Sequence, residues 1–567
     1  MPEHLLDALD AMAAADPDRL FVRDLDGGIH ITRGDLRHRA AALAGGLHAR
    51  GIRAGDTVAL LLSNRPEFYV ADLAVLLLGG VPVSVYATSS PQQVTHVLRD
   101  SGARLLIGEP ALLEPLGALD IDVLSVADLD AVAVPGFDPA QARGPRDPDE
   151  VLTIIYTSGT TGAPKGVELT HRGVLAGMRG LGAAIGLDGA DRVISWLPAA
   201  HIAERGAHYY LPILNGGEIT TLEDPRRIGD ALVAVRPTWF FAVPRVWEKL
   251  KAAIEAQVAA RGSADAFAGA FETAVEELRL RHDGRHVPEE LSRRVDALDG
   301  KVFAPLRAAL GLDQARVLNT GSAPTPPSVL EFFHAIGLPV SDLWGMTESA
   351  ACGTAVPPAR PRIGSVGLPL PGNDLEIADD GEILLRGPSL MRGYLGRPEA
   401  TRDAIDEDGW LHTGDVGRID DDGYLWIVDR KKEIIINAAG KNMSPSAIEA
   451  VLKSAHPLIG HVAVIGDGRP YNTALVVLDP DTAAAWGPAN GKPGEVTALG
   501  GDPEVVALVV EAVETANAEL SRVEQVKRLH IVEDQWVPGG EELTPTMKLR
   551  RAPIAAKYAD QIEELYA

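Results

Sequence analysis

Five consecutive residues, Val151-Leu152-Thr153-Ile154-Ile155, run without a break into Tyr156-Thr157-Ser158-Gly159-Thr160-Thr161-Gly162-Ala163-Pro164-Lys165-Gly166. The apolar run reads as a buried strand, so the segment that follows is a loop leaving the end of a sheet. Three glycines let that loop fold closely round an anion. Thr157, Ser158, Thr160, Thr161 and Lys165 supply the hydroxyl and cationic donors for it. A strand emptying into such a loop fits a polyphosphate. It is not a Walker A loop, because Val167 stands five residues beyond Gly162 and no Gly-Lys-Ser/Thr follows. A plain Gly/Thr surface loop is the bland alternative, and eleven residues in this order argue against it.

The remaining chain alternates as layered α/β sheets require. Helical periodicity at 34–51 is followed by a strand at 56–62, a helix at 65–78 and a strand at 81–85. A helix at 91–101 and a strand at 103–107 come next. The Pro/Asp-rich stretch 135–150 reads as a loop delivering the chain to the phosphate strand, and 245–310 as a long charged helical excursion. From 363 to 428, short strands alternate with Asp380-Gly381, Asp408-Gly409 and Asp422-Gly423, which suits a small β-rich unit. Strands at 462–466 and 473–478 and a helix at 503–520 make the last part α+β. The expected fold class is α/β: a large N-terminal domain of layered sheets with a β-rich subdomain (1–429), and a small α+β C-terminal domain (430–567).

A chain of 567 residues is too long for one core. Its net charge of −26 argues against a nucleic-acid partner and against docking on anionic lipid. The lone Cys352 forms no internal disulfide, so no oxidising compartment is implied. Met1-Pro2-Glu3-His4 lacks the basic start and apolar region of a signal peptide. The apolar stretch 70–85 is broken by Asp72, Gly79, Gly80 and Pro82, which leaves no membrane-spanning segment. The expectation is a cytoplasmic protein without an encoded anchor, although a membrane-delivered substrate would bring it to a bilayer.

Four further segments share the character of the phosphate loop. Asn319-Thr320-Gly321-Ser322-Ala323-Pro324 follows an apolar strand and suits a flat ring. Leu343-Trp344-Gly345-Met346-Thr347-Glu348 joins an aromatic and a glycine to a carboxylate. Trp410-Leu411-His412-Thr413-Gly414-Asp415 ends in an acid able to accept two hydrogen bonds from a ribose diol. Asp429-Arg430-Lys431-Lys432-Glu433 is a charged link into the last domain. Taken singly, each has an ordinary structural explanation as packing, a turn or a solvated face.

In this order and spacing, the segments resemble the adenylate-forming (ANL) superfamily, from about residue 20 to the C-terminus. Within it the chain looks most like long-chain acyl-CoA synthetases. That likeness is carried by Leu197-Pro198-Ala199-Ala200-His201-Ile202-Ala203-Glu204-Arg205, Val243-Pro244-Arg245-Val246-Trp247-Glu248-Lys249 and Glu542-Leu543-Thr544-Pro545-Thr546-Met547-Lys548. The helix end Leu520-Ser521-Arg522-Val523-Glu524-Gln525 points the same way. The resemblance implies an acyl-CoA synthetase/luciferase-like fold whose C-terminal domain is a mobile lid. It also implies a set of roles. Ser158, Gly159, Thr160, Thr161, Gly162 and Lys165 belong to the ATP phosphates, while Thr157 and Glu348 hold Mg2+ through hard oxygen ligands. Gly321, Ser322, Ala323, Trp344, Gly345, Met346 and Thr347 line the adenine pocket. Asp415 and Arg430 hold the ribose. Lys548 reaches in from the lid towards the carboxylate and α-phosphate, and His201 stands at the mouth of the acid pocket. Lys432 is the hinge, and Gly440 and Lys441 belong to the coenzyme A side.

The implied chemistry is ATP-dependent activation of a medium- or long-chain fatty acid to acyl-AMP, then transfer to coenzyme A. Two departures bear on it. Ala439 stands where the family's Gly-Gly-Lys pattern has its first glycine, which affects the pantetheine path. Ala199 stands where the long-chain enzymes more often carry leucine, which affects which acids fit. Three other readings stay open: a ligase loading an acyl carrier protein, an enzyme for an aryl or atypical acid, and a non-catalytic nucleotide-binding relative. Intact Glu348, Asp415, Arg430 and Lys548 weigh against the last.

Overall fold

The computed structural model describes residues 2–567 except 158–163, 188, 190, 261, 263, 439 and 545. The strand Val151–Thr157 pairs antiparallel with Lys165–Thr170, Thr157 opposite Lys165, and Gly393–Tyr394 adds a third strand beside Lys165–Thr170. Next to it in sequence lies a parallel sheet in the order Val81–Ser84, Thr57–Leu61, Leu105–Gly108, Asp122–Ser125. Its connecting helices are Pro66–Leu77 and Pro91–Asp100, within two residues of the expected bounds. Proline opens both helices at the first turn, where no amide hydrogen is needed. A second sheet runs Trp239–Ala242, Val317–Gly321, Val340–Trp344 in parallel, then two short antiparallel strands.

One expectation needs correction. The 135–150 stretch is not all loop, since Pro139–Arg143 is helical and Arg143 donates to the Leu76 carbonyl at 2.8 Å. All three Asp-Gly pairs are turns: 380–381 and 422–423 close hairpins, and 408–409 closes the antiparallel bridge between Ile405 and Leu411. In all three the glycine has φ between 82° and 86°, the left-handed conformation such turns demand.

Buried apolar residues from 5 to 425 form three clusters, and those from 435 to 562 form two more. The C-terminal sheet is Ile459–Ile465, Asn472–Leu478, Val526–Val532. Charged contacts clamp the two parts: Arg245 Nη2 donates to Asp479 Oδ2 at 2.8 Å and Lys249 Nζ to Asp481 Oδ2 at 2.8 Å.

One buried ion pair anchors the motif that carries His201. Arg205 Nη2 donates to Asp72 Oδ1 at 2.6 Å, both side chains fully buried. Tyr209 donates to the other Asp72 oxygen at 2.9 Å, and Arg205 also reaches Ser84 Oγ and Tyr210 Oη. Removing one partner strands a charge in the interior, which costs about 3–5 kcal/mol. Asp72→Ala is therefore expected to lower the urea midpoint well beyond the effect of a surface substitution, as chemical denaturation followed by circular dichroism would show.

Candidate active site

Gly321 sits opposite Leu343 at the carboxyl ends of two neighbouring parallel strands, the edge where open α/β sheets bind ligands. Ser322, Ala323, Gly345, Met346 and Thr347 therefore leave the sheet side by side. A side chain on Gly345 would put its Cβ 2.4 Å from the Ala351 backbone, so only glycine fits. Five described non-glycine residues have positive φ. Four of them, Ser322, Ala350, Ala351 and Met547, flank residues picked out from the sequence. Strained backbone clusters at functional sites, and here it points to the same place independently.

Trp344 and Arg430 converge on one carboxylate. The Trp344 indole donates to Asp415 Oδ2 at 2.9 Å and Arg430 Nε lies 2.7 Å from Asp415 Oδ1. Asp415 and Arg430 are cross-strand neighbours in the antiparallel pair Leu411–Ile419 and Leu425–Arg430. Both Asp415 oxygens thus have a protein partner and a fixed direction, each with a second lone pair left for a ligand.

Glu348 is buried in the turn Thr347–Ser349. Its Oε1 accepts from the Tyr394 hydroxyl at 2.8 Å, and its Oε2 has no protein partner among the described residues. The Tyr394 ring in turn carries the Lys165 ammonium 4.9 Å from its centroid. Thr157, at the strand end, makes only a long 3.5 Å contact from Oγ1 to the Lys165 carbonyl, so its hydroxyl is readily turned to another partner. Ser158, Gly159, Thr160, Thr161 and Gly162 lie outside the described residues.

His201 caps the short helix Ile202–Arg205, its Nδ1 accepting from the Ala203 amide at 3.1 Å. Glu204 holds the preceding loop by accepting from the Leu197 amide and from Asn64. Desolvation, aided by the charge of Lys548, lowers the His201 pKa to about 4. The ring is neutral at pH 7 and carries its proton on Nε2. Ala199 is buried in the same loop.

Lys548 comes from the opposite side. Its amide donates to Thr544 Oγ1 at 3.0 Å and its carbonyl accepts from the Thr544 amide at 2.9 Å, a tight turn with Met547 at φ 65°. Desolvation and the charge of Arg430 depress its pKa, while Asp415, Glu433 and Glu348 pull the other way. By its own surface, however, Lys548 is exposed, so the neighbouring charges matter more to it than desolvation does. Crowding by charges from both parts of the chain together with access to water describes a wet cleft between them. Lys548, His201, Glu348, Asp415 and Arg430 share it.

Lys432, Gly440 and Lys441 are exposed, and Lys432 follows Lys431, whose amide donates to the Gly414 carbonyl at 2.8 Å. Gly440 has φ 75° and donates to the Asn437 carbonyl at 2.8 Å, and Ala438 donates to the Arg469 carbonyl, all within the C-terminal part. Ala439 is outside the described residues. Asp429 is buried, accepting from Ser444 Oγ, Ser446 Oγ and the Ser446 amide. It fastens the link to the helix Pro445–Ser454.

Two neighbours of the site carry no sequence signal. Tyr394 is one. The other is Asp342, buried on the strand leading to Trp344, where Thr325 Oγ1 donates to it at 3.0 Å. Burial pushes its pKa up to about 7, against the hydrogen bond from Thr325. Because the folded value lies above the unfolded one, its stabilising protonated state is complete below pH 4 and is lost as pH rises through 7. Asp342→Asn removes that dependence. The variant is expected to gain about 2 kcal/mol relative to the parent between pH 5 and pH 8, read from denaturation midpoints at both.

Residues 9–395 match the family model described as AMP-binding enzyme, and 432–567 match that described as AMP-binding enzyme C-terminal domain. Over 448 residues the chain is 47% identical to a Mycobacterium tuberculosis protein named "Putative fatty-acid--CoA ligase fadD11", covering 78% of each. It is 36% identical to the long-chain-fatty-acid–CoA ligase FadD15 of the same species over 97% of this chain and 95% of the relative. In fold, it is similar to the O-succinylbenzoate coenzyme A synthetase of Bacillus subtilis solved with ATP and magnesium ion, with TM-score 0.70 and 23% identity over 96% and 98% of the two chains. The adenylation domain of a Mycobacterium chelonae carboxylate reductase is likewise similar, with TM-score 0.74 and 22% identity over 99% and 91%. With family models matched over both parts of the chain and relatives aligned along nearly all of it, the chain belongs to the AMP-binding, adenylate-forming enzyme family.

Proposed function

We propose that this chain is an ATP- and Mg2+-dependent acyl-CoA synthetase for medium- or long-chain fatty acids, with 1–429 as the adenylating domain and 430–567 as its lid. The observation that carries this reading is the Asp415 carboxylate, held by Trp344 and Arg430 beside the strand ends and within electrostatic reach of Lys548. Relatives named as fatty-acid–CoA ligases support the acid and the thiol acceptor.

A carboxylate is a poor acyl donor because its leaving group would be oxide. In the first step a carboxylate oxygen bonds to the α-phosphorus, the bond from that phosphorus to the β-bridging oxygen breaks, and pyrophosphate leaves. The acid is already ionised, so no general base is required. Repulsion between two anions is the barrier, and the Lys548 ammonium opposes it at the developing charge. Neutral His201 offers an Nε2 proton without adding a charge. Asp415, steered by Trp344 and Arg430, accepts from the ribose hydroxyls, and the strand ends at Ser322 and Gly345 border the base. The Thr157 hydroxyl and Glu348 Oε2 are hard oxygen donors that fit Mg2+, which supplies charge neutralisation on the phosphates when bound.

In the second step coenzyme A thiolate attacks the acyl carbonyl and AMP departs. Gly440 and Lys441 make their contacts within the C-terminal part, whereas Lys548 lies in electrostatic reach of Asp415 and Glu348, which supports one lid orientation for each half-reaction. Rotation at Lys432 exchanges the two orientations. The test is a pyrophosphate–ATP exchange screen over fatty, aryl and amino acids, repeated with coenzyme A. Exchange with fatty acids and thioester formation only with the thiol are the expected results. A purified protein that exchanges with none of them would overturn the reading.

A further inference from the structure

Tyr394 joins two groups that lie far apart in the sequence and that the proposed function assigns to metal and phosphate. Its position is fixed independently of both. The strand Gly393–Tyr394 pairs with Lys165–Thr170, placing Tyr394 opposite Val167. The Tyr394 amide donates to Thr401 Oγ1 at 2.9 Å, and the next amide, of Leu395, donates to the Gly166 carbonyl at 2.8 Å. From that mount the hydroxyl donates to Glu348 Oε1 at 2.8 Å, and the ring face takes the Lys165 ammonium at 4.9 Å.

We propose that Tyr394 is a positioning residue that restricts Glu348 to one-oxygen metal binding and docks Lys165 beside the phosphate strand. The hydroxyl takes one lone pair of Oε1 and fixes the carboxylate's orientation, which favours the unengaged Oε2 as the ligand atom. One-oxygen carboxylate ligation suits Mg2+, which keeps most of its waters in a strict octahedron. Ca2+ accepts both carboxylate oxygens and looser geometry. Tyr394 therefore discriminates between the two ions without touching either. The ring supplies a second, separable effect: a cation held over an aromatic face keeps its charge near the phosphates at little entropic cost.

This inference rests on the proposed nucleotide chemistry, and its test reads binding instead of turnover. Mn2+ binding to the full chain with a non-hydrolysable ATP analogue is followed by electron paramagnetic resonance, and Mg2+ and Ca2+ are ranked by competition. Tyr394→Phe keeps the ring and loses the hydroxyl. Its Mg2+ affinity is expected to weaken roughly 10-fold, the scale of a hydrogen bond to a charged group, with Ca2+ weakened less or tightened. Metal-free affinity for the analogue stays at the wild-type value in this variant. In Tyr394→Leu that affinity falls roughly 2- to 5-fold as the ring contact with Lys165 goes. Should the leucine variant not fold, Lys165→Met tests the same contact from the other side. An unchanged Mg2+/Ca2+ ratio in the phenylalanine variant, with wild-type metal binding intact, overturns the role of Tyr394 alone. A wild-type protein that binds no metal with the analogue overturns the nucleotide reading and this inference with it.

Discussion

Replacing Lys548 with alanine is expected to slow acid-dependent pyrophosphate–ATP exchange by about 10²- to 10³-fold, the loss typical of one preorganised charge-stabilising donor. Transfer of a preformed acyl-adenylate to coenzyme A is expected to change much less, because charge builds up on phosphorus only in the first step. The asymmetry is the diagnostic, and equal losses in both half-reactions would make Lys548 a structural residue of the lid. A second readout accompanies it. The Lys548 charge helps hold His201 below its ordinary value, so the His201 pKa is expected to rise in the alanine variant, visible as a shifted imidazole titration in NMR.

Asp415→Ala is expected to lower kcat/KM for ATP by about 10²- to 10³-fold, from two charge-assisted hydrogen bonds to the ribose at about 1.5–3 kcal/mol each. The effect falls mainly on the KM for ATP, while the KM for the acid stays close to that of the parent. The same substitution leaves the buried Trp344 indole without its acceptor, which costs about 1–3 kcal/mol of stability. Asp415→Asn separates the two effects, since the amide oxygen still accepts from Trp344. Initial-rate kinetics with ATP varied, set beside thermal unfolding of both variants, measures each. An ATP KM near that of the parent in the alanine variant would remove Asp415 from the nucleotide site.

The parts of the site legible in the sequence are those written in contiguous residues. The phosphate loop with its strand, the Trp344 to Glu348 run and the Thr413-Gly414-Asp415 turn combine residue types whose chemistry is local. Lys548 was different. In the run Lys548-Leu549-Arg550-Arg551 nothing but a family resemblance set it apart from a solvated basic face. The structure separates these cations by their partners. Arg551 pairs with Glu433 and Glu449, Arg550 donates to the Gly540 carbonyl, and Lys548 lies in the electrostatic surroundings of Arg430, Asp415 and Glu348. Asp429 read as one charge in an exposed link, yet it is buried and fastens Ser444 and Ser446. Tyr394 and Asp342 could not be found at all, because their partners, Glu348 and Thr325, come from other turns of the chain.

By itself, the sequence determined the α/β layering and picked out the residues proposed for the nucleotide half of the site. Periodicity and local residue chemistry are properties of neighbours in the chain, and these features depend on little else. Only the tertiary structure decided which charges of the two parts meet and which oxygen of Glu348 is engaged. Each of those depends on desolvation and on distances between segments hundreds of residues apart, and no local pattern encodes them.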